Sequence, residues 1–356
     1  MPYSTMKNLI NLVSVDESSD SNKPAHDTET WQNHFIQRYA NFYELCSDLQ
    51  LDPKYFIEND AHLAELAHFP LRVPLGYANK IIKGDYQDPL LLQIIPRSNE
   101  LKQVPGFKAE PLEEIDYSPT PGVIHKYNGR LLLVATGACA IHCRYCFRRH
   151  YPYDEQGVTP QNLNNAMEYI ARHNDISEVI LSGGDPLSLA DHKLVQLIER
   201  IELIPHVKRL RLHTRMLGLI PQRLTQRLAD LFNSTSLQIV IVLHFNHPNE
   251  IDWQAKELTS RLNQLNITVF NQSVLLKGVN STAQTLMDLS EKLFSHGIIP
   301  YYLHLLDQVS GSADFMLEKS QAIELYKILA ANLPGYLLPK FVEDIPGQFN
   351  KQLIYT

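Results

Sequence analysis

Cys139-Ala-Ile-His-Cys143-Arg-Tyr-Cys146 is the stretch that decides the fold. It comes directly after the apolar run 131–136, which is typical of a buried β-strand. The three thiols are therefore expected in the loop at the carboxyl end of that strand, where α/β barrels carry their chemistry. Three thiolates suit an iron–sulfur cluster, and because an ordinary four-iron cluster takes four cysteines, one iron would stay open to a small molecule. A structural metal site with His142 as fourth ligand is the alternative.

The bulk composition excludes several classes of protein. The 356 residues are 44% hydrophobic, which is normal for a globular chain, and the formal net charge of −7 gives no indication of a nucleic-acid surface. The sequence has no run of 18 apolar residues, so no membrane span is predicted. Its N-terminus shows no basic-then-apolar pattern of a signal peptide. Three of the four cysteines cluster, which favours a reducing, cytoplasmic compartment over a disulfide framework. The fourth, Cys46, is expected to be a small core residue.

The chain is predicted to divide into four parts. A polar, flexible leader covers residues 1–28, and a helical accessory region covers 29–120. A barrel follows at 121–310, and a C-terminal helix and tail occupy 311–356. Within the accessory region, apolar residues at helical spacing predict one amphipathic helix from Trp31 to Leu49.

From His125 onward the pattern becomes regular. Strand-like runs lie at 131–136, 178–182, 209–213, 237–243, 267–271 and 299–303. Helical patterns lie at 160–173, 191–203, 222–232, 251–265 and 283–296, with a last one near 320–332. Six strands that alternate with helices predict an α/β fold, a partial (β/α)6 TIM-type barrel. A doubly wound open sheet is the alternative, but no G-x-G-x-x-G follows the first strand.

Polar clusters follow the successive strands, as the mouth of a barrel requires. Ser182-Gly183-Gly184-Asp185-Pro186 follows the second strand; its glycines let a backbone approach a ligand closely, and its carboxylate can hold an ammonium group. The same residues also make a good turn. Arg215 follows the third strand, and His244 and His247 follow the fourth; the histidines are interpreted as hydrogen-bonding groups for cofactors rather than metal ligands.

These motifs together resemble known enzymes. The cysteine spacing and the Gly-Gly-Asp segment resemble the radical S-adenosylmethionine (SAM) superfamily, in which SAM chelates the open iron and the second segment binds its amino group. Five longer stretches resemble the lysine 2,3-aminomutase family, namely 125–130, 143–150, 244–250, 271–276 and 300–304. Within that family the chain resembles the branch that supplies (R)-β-lysine for modification of translation elongation factor P (EF-P).

The resemblance implies a substrate, cofactors and site residues. It implies that free L-lysine is converted to β-lysine with a [4Fe–4S] cluster, SAM and pyridoxal 5′-phosphate (PLP). Lys351 falls where the family carries PLP, although the glycine run before it is mostly replaced in Pro346-Gly-Gln-Phe-Asn-Lys351. Arg148 falls on the arginine that binds the substrate carboxylate. Asp307 and Asp344 fall on the carboxylates that hold its ε-ammonium group.

Further cofactor contacts are implied more broadly. Lys126, which stands where the family usually has Arg, falls with Arg130 and Gln272 among the contacts to PLP phosphate and SAM. The remaining implied cofactor contacts are Ser182, Gly183, Gly184, Asp185, Arg215 and His244. The implied partners are an EF-P lysyl ligase and an electron donor such as flavodoxin or ferredoxin. The alternatives are a radical SAM aminomutase for another amino acid, a radical SAM enzyme without PLP, and a non-catalytic iron–sulfur protein.

Overall fold

A nine-stranded β-sheet forms the centre of the computed structural model, which describes residues 30–157 and 159–354. The predicted leader at 1–28 lies outside the described residues. In chain order the strands are β1 (Arg38–Tyr39), β2 (Val73–Pro74), β3 (Val123–Tyr127), β4 (Arg130–Thr136), β5 (Glu178–Gly183), β6 (Arg209–Thr214), β7 (Gln238–Leu243), β8 (Thr268–Val274), β9 (Ile299–His304), β10 (Lys340–Glu343) and β11 (Gln352–Leu353).

Helices precede, separate and follow these strands. They are α1 (Trp31–Ile36), α2 (Phe42–Asp48), α3 (Asp60–Glu65), α4 (Leu75–Ala78), α5 (Pro89–Leu92), α6 (Tyr153–Gln156), α7 (Pro160–Arg172), α8 (Asp191–Glu202), α9 (Met216–Leu219), α10 (Gln226–Ser234), α11 (Trp253–Gln264), α12 (Ala283–Ser295) and α13 (Lys319–Asn332). Among the described residues, none of these helices is long and apolar enough to cross a membrane.

The six predicted strands are all present, as β4 to β9, and each pairs in parallel with the next along the chain. The prediction of an α/β partial barrel is therefore confirmed. The structure adds a seventh parallel strand, β10, beside β9, and antiparallel edge strands β3 and β11. These three further strands are short or polar, so their apolar pattern is too weak to predict a strand. The predicted division at residue 310 stays a prediction, and the sheet continues beyond it through β10 and β11.

The prediction of one helix from Trp31 to Leu49 is wrong. Helix α1 ends at Ile36, β1 pairs antiparallel with β2, and α2 begins only at Phe42. The Asn41 side chain accepts hydrogen bonds from the backbone N–H groups of the first turn of α2, and so starts a new helix there. A local side-chain cap and a strand pairing from distant residues thus override the helical periodicity.

The alternation of side chains along the strands determines the inner wall of the barrel. In β6, Leu210 and Leu212 are fully buried in the main core, whereas Arg211 and His213 line an internal cavity. Strand β5 alternates in the same way, and its Glu178 pairs with Arg211 at 2.6 Å inside the barrel. Because successive side chains of a strand point to opposite faces, the helices cover the apolar face and the polar face is left to line the cavity.

Candidate active site

A cavity of about 640 Å³ runs through the barrel, lined by inward-facing strand residues, the loops at their carboxyl ends and part of the accessory region. All sixteen site residues predicted from the sequence line it: Lys126, Arg130, Cys139, Cys143, Cys146, Arg148, Ser182, Gly183, Gly184, Asp185, Arg215, His244, Gln272, Asp307, Asp344 and Lys351. The fold therefore brings together residues that are spread over more than two hundred positions of the sequence.

The three cysteines lie in the loop after β4, which is held by the accessory region rather than by regular structure of its own. Arg72 Nη1 donates to the Cys139 carbonyl at 2.9 Å, and Arg144 N donates to the Gln93 carbonyl at 2.9 Å. Ile141, from the same loop, is buried in the accessory core. Arg72 and Gln93 of the predicted accessory region therefore help to hold the loop that carries the thiols.

A buried ion cluster fixes the charged residues of this loop. Glu100 accepts from Arg144 Nε at 2.9 Å and from Arg149 Nη2 at 2.7 Å. Both arginine side chains are 1% exposed and the Glu100 side chain is 5% exposed. Removing the carboxylate would leave two buried cations without their partner, which is strongly destabilising.

The donor set of this loop fits an iron–sulfur cluster. His142, the alternative fourth ligand, also lines the cavity; its Nδ1 lies 2.8 Å from the Pro70 carbonyl, and its ring stacks on Phe69. Among the described residues, no three His, Cys, Asp or Glu side chains are grouped to hold one metal ion. A four-iron cluster binds each cysteine to a different iron, so its thiols need to share a cavity wall rather than a single point.

Arg215 connects the cysteine loop to the rest of the cavity. Its Nη1 donates to Cys143 Sγ at 2.6 Å, and its Nη2 donates to Glu250 Oε2 at 2.8 Å and Gln93 Oε1 at 2.9 Å. Its Nε is buried and has no hydrogen-bond partner among the described residues. This unpaired donor beside a predicted cluster ligand fits the predicted contact with a cofactor.

Two histidines in the cavity wall are held uncharged. Burial, and secondarily the positive charge of Arg215, lower the pKa of His244 to about 3, and its Nε2 is hydrogen-bonded to the Tyr145 hydroxyl at 3.0 Å. Burial also lowers the pKa of His213 well below its ordinary value, and its Nε2 is buried without a partner in the described part of the chain. His213 was not selected from the sequence, although its position at a strand end was a usable signal.

The Gly-Gly-Asp segment packs against the cysteine loop. A Cβ on Gly183 would lie 2.6 Å from the Thr136 carbonyl, and one on Gly184 would lie 2.4 Å from the Ala138 carbonyl. The glycines thus allow the end of β5 to pack against the backbone that leads into the cysteine loop. The Asp185 carboxylate accepts from the Thr214 hydroxyl and from backbone N–H groups of the loop after β6. Both Asp185 oxygens already accept from protein donors, and Asp185 lines the cavity; the prediction that this segment holds an ammonium group stays a prediction.

Asp344 joins three other side chains of the cavity wall. Its carboxylate accepts from Lys126 Nζ at 2.7 Å, Lys351 Nζ at 2.7 Å and the Tyr127 hydroxyl at 2.9 Å. Burial alone would raise the pKa of Asp344, but Lys351 and Lys126 outweigh it and hold the pKa well below its usual range. The sequence indicated the carboxylate but not its partners.

Asp307 differs from Asp344 in its electrostatic environment. Burial raises the pKa of Asp307 to about 7; the charge of Lys351 lowers it, and that of Asp344 raises it. The pKa values of the two carboxylates therefore differ: Asp344 is ionised at neutral pH, and Asp307 is near its titration point. A cation that enters between them would favour the ionised form of both.

Arg148 is engaged by a residue that the sequence did not indicate. Its guanidinium forms two parallel hydrogen bonds with Glu114, both 2.7 Å long, and also donates to Ser182 Oγ and the Gly183 carbonyl. Glu114 lies 34 residues earlier in the chain and lines the same cavity. No local spacing predicts such a pair.

The remaining predicted contacts line the cavity on separate strands. Gln272 lies in β8, and Arg130 opens β4 with its guanidinium 4.7 Å from the centre of the Tyr127 ring. His247, weighed as a possible ligand, does not line the cavity; its Nδ1 accepts from the backbone of Asn249. The two histidines of this motif therefore have different roles.

Comparisons relate the chain to known proteins. Residues 133–289 match the family model described as the radical SAM superfamily. The chain is 46% identical over 330 residues to an L-lysine 2,3-aminomutase of Haemophilus influenzae, covering 90% of this chain and 98% of that one. It is 45% identical over 283 residues to an L-lysine 2,3-aminomutase of Escherichia coli, covering 80% of this chain and 82% of the relative. A solved radical SAM methyltransferase from Sphaerobacter thermophilus covers 62% of this chain and 68% of its own at 14% identity, with a TM-score of 0.43.

The cysteine assignment predicts the effect of single substitutions on iron content. Replacement of Cys139, Cys143 or Cys146 by Ala should remove the iron–sulfur absorbance and the bound iron, because a four-iron cluster with one open iron has no ligand to spare. Cys46→Ala is the matched control, since Cys46 lies in the accessory core and does not line the cavity. Iron and sulfide analysis after anaerobic reconstitution measures the cluster content of these variants and of the control. Retention of iron in the triple variant would show that the cluster lies elsewhere.

Proposed function

Because the chain belongs to the L-lysine 2,3-aminomutase family of the radical SAM superfamily, we propose that it converts L-lysine to β-lysine by moving the amino group from C2 to C3. The observation that carries the proposal is the single cavity in which three thiols, a lysine amine, an arginine and two carboxylates meet. These are the groups that a cluster, PLP and the two ends of a lysine substrate would each need.

The chemistry itself belongs to the cofactors. When bound, the [4Fe–4S] cluster and SAM supply the radical that removes a substrate hydrogen, and PLP supplies the conjugated system that carries the migrating nitrogen. The three cysteines would hold the cluster, and Lys351 would hold PLP, with Lys126 and Arg130 as cations for its phosphate. Gln272, His244 and the unpaired Nε of Arg215 would complete the SAM side.

The substrate is proposed to lie between opposite charges. Arg148 would hold the α-carboxylate, since a guanidinium pairs with a carboxylate through two parallel hydrogen bonds. Asp307 and Asp344 would hold the ε-ammonium group, and Asp344 already binds the ammonium group of Lys351 at 2.7 Å. Two carboxylates facing a cation also disfavour an acidic amino acid. The walls of the cavity would keep water from the reacting atoms and so protect a radical from side reactions.

An enzyme without PLP is less well supported than the aminomutase. The loop before Lys351 has lost most of the family's glycines, and this motivated the alternative. Lys351 nevertheless lines the cavity and contacts Asp344, so the altered loop still delivers the amine to the site.

The destination of the product is proposed from the resemblance alone. The product would be the R enantiomer of β-lysine, passed to a ligase that attaches it to EF-P in the cytoplasm, with a flavodoxin or ferredoxin as electron donor. In a deletion strain without a second aminomutase, EF-P should lack β-lysine by mass spectrometry. EF-P that remains modified would contradict the role.

The activity is tested with the purified holoenzyme. Protein prepared without oxygen and supplied with PLP, SAM, dithionite and L-lysine should form (R)-β-lysine, resolved by chiral chromatography. Reactions without SAM or without dithionite are the controls and should give no product. Cleavage of SAM without any β-lysine would indicate a radical SAM enzyme of another substrate or reaction.

Lys351 is predicted to carry PLP. Borohydride reduction of the PLP-loaded protein should fix the cofactor on the peptide that contains Lys351, and Lys351→Ala should remove the label. Lys277→Ala is the control, because Lys277 is exposed and does not line the cavity. Label on Lys126, the other amine on Asp344, would move the PLP site, and label on Lys340 or Lys277 would refute the assignment.

Lysine binding is predicted to weaken as the pH falls below about 7. The pKa of Asp307, about 7, lies above the ordinary value, so the carboxylate is charged only above that pH and loses its attraction for an ammonium group below it. Calorimetric titration of lysine from about pH 6 to about pH 8 measures the effect. Asp307→Asn should abolish this dependence and weaken binding by about two to four decades. Asp288→Asn, on the exposed face of α12, should change neither. An unchanged pH dependence in Asp307→Asn would refute the assignment.

A further inference from the structure

Glu114 occupies the carboxylate-binding side of Arg148. Its two carboxylate oxygens accept from Nε and Nη2 of the guanidinium at 2.7 Å each. On the other side, Nη1 donates to Ser182 Oγ at 3.1 Å and to the Gly183 carbonyl at 3.3 Å. A guanidinium has five N–H donors in a fixed plane, and these contacts use four of them.

The remaining donor is not enough for a second carboxylate. A bidentate pair needs two parallel N–H groups on one side of the guanidinium, and Glu114 already takes such a pair. The Arg148 side chain is 6% exposed and that of Glu114 is 13% exposed, so water would screen little of the repulsion between two neighbouring carboxylates. Arg148 therefore binds Glu114 or a ligand carboxylate in this manner, but not both.

Glu114 belongs to a segment that touches the other parts of the site. The segment 108–117, here called the strap, pairs at Lys108 with the backbone of Gln308 and Ser310, next to Asp307. At its other end the Tyr117 hydroxyl accepts from Gly347 N at 2.7 Å, in the loop that leads to Lys351. Glu113, beside Glu114, has a φ of 50°, a left-handed conformation that is unfavourable for a residue with a side chain. The strap thus connects Arg148, the segment beside Asp307 and the loop that leads to Lys351, which are the regions proposed to contact the substrate. One of its residues, Glu113, has an unfavourable backbone conformation.

We propose that Glu114 is a specificity-determining residue: it holds the binding side of Arg148 until the α-carboxylate of the substrate displaces it. The proposal rests on the assignment of Arg148 to the substrate carboxylate under the proposed function. An amino acid can replace Glu114, because it supplies an equivalent carboxylate. A diamine of the same length has both ammonium groups but no carboxylate, so it leaves Glu114 paired and the strap in place. The site would thereby select lysine over its decarboxylated analogue.

Substitution of Glu114 tests the competition directly. Glu114→Gln keeps the size of the side chain and removes its charge, so the dissociation constant of lysine should fall by about tenfold. Binding of 1,5-diaminopentane should be unchanged or weaker, because that ligand gains no partner and loses a nearby negative charge. Glu113→Gln is the matched control: it removes a charge one residue away, where the contact is with Lys108 at 3.6 Å. Calorimetric titrations use the protein with cluster, PLP and SAM bound and without reductant, so that no turnover occurs.

The results distinguish a failure of the proposed competition from a failure of the assignment of Arg148. If Glu114→Gln leaves lysine binding unchanged or weaker while Arg148→Lys weakens it by about tenfold or more, the competition is wrong and the Arg148 assignment stands. If Arg148→Lys has no effect on lysine binding, the assignment under the proposed function fails as well. Tighter binding of both lysine and the diamine in Glu114→Gln would also overturn the competition.

A measurement on the unmodified protein does not depend on how the variants fold. In the structure Asp116 N donates to the Glu113 carbonyl and Ser118 N to the Ile115 carbonyl, so these amides report on the strap. Saturating lysine should speed their hydrogen exchange, because Glu114 is released, and saturating 1,5-diaminopentane should not. Equal exchange with the two ligands would contradict the proposal.

Discussion

The pairing of Glu100 with Arg144 and Arg149 is the interaction on which the site depends. The loop between β4 and α6 has no helix or strand to fix its course, yet it carries three thiols. Two of its residues are cations buried to 1% exposure, and each needs a partner there, since an unpaired buried charge is costly. Because Glu100 comes from the accessory region, that region and the barrel cannot form the site independently.

The same constraint organises the rest of the cavity. The side chains of Arg148, Arg215 and Asp344 are at most 9% exposed, and each is neutralised by a residue from a different element. In an interior with little water these ion pairs are stronger, and the loss of one partner costs more free energy. The cavity therefore contains charged groups that ligands could bind. In this structure other protein groups are paired with them. At Arg148, binding of a carboxylate must therefore exchange partners, whereas the unpaired Nε of Arg215 can gain one.

Local patterns predicted the barrel and the cysteine site, and the family resemblance predicted most of the other site residues. Strand periodicity gave β4 to β9, and polar residues at strand ends or in family motifs gave the site. The partners of these residues could not be predicted. Glu114 lies 34 residues from Arg148, and Glu250 lies 35 residues from Arg215, so no spacing rule connects them. The helix expected from Trp31 to Leu49 failed for a related reason, since a cap at Asn41 and a strand pairing with distant residues decided its course.

The position of Lys351 shows how the fold compensates for a changed motif. Strands β10 and β11 pair antiparallel, with Glu343 opposite Gln352. Asp344 and Lys351 are the next residues across this pair, and their side chains meet at 2.7 Å. Of the glycines typical of the family's loop, Gly347 remains, at a φ of 81° that suits glycine, and its N–H donates to Tyr117. The register of the hairpin and the ion pair at its base therefore place the amine, whereas the residues between Gly347 and Lys351 are exposed.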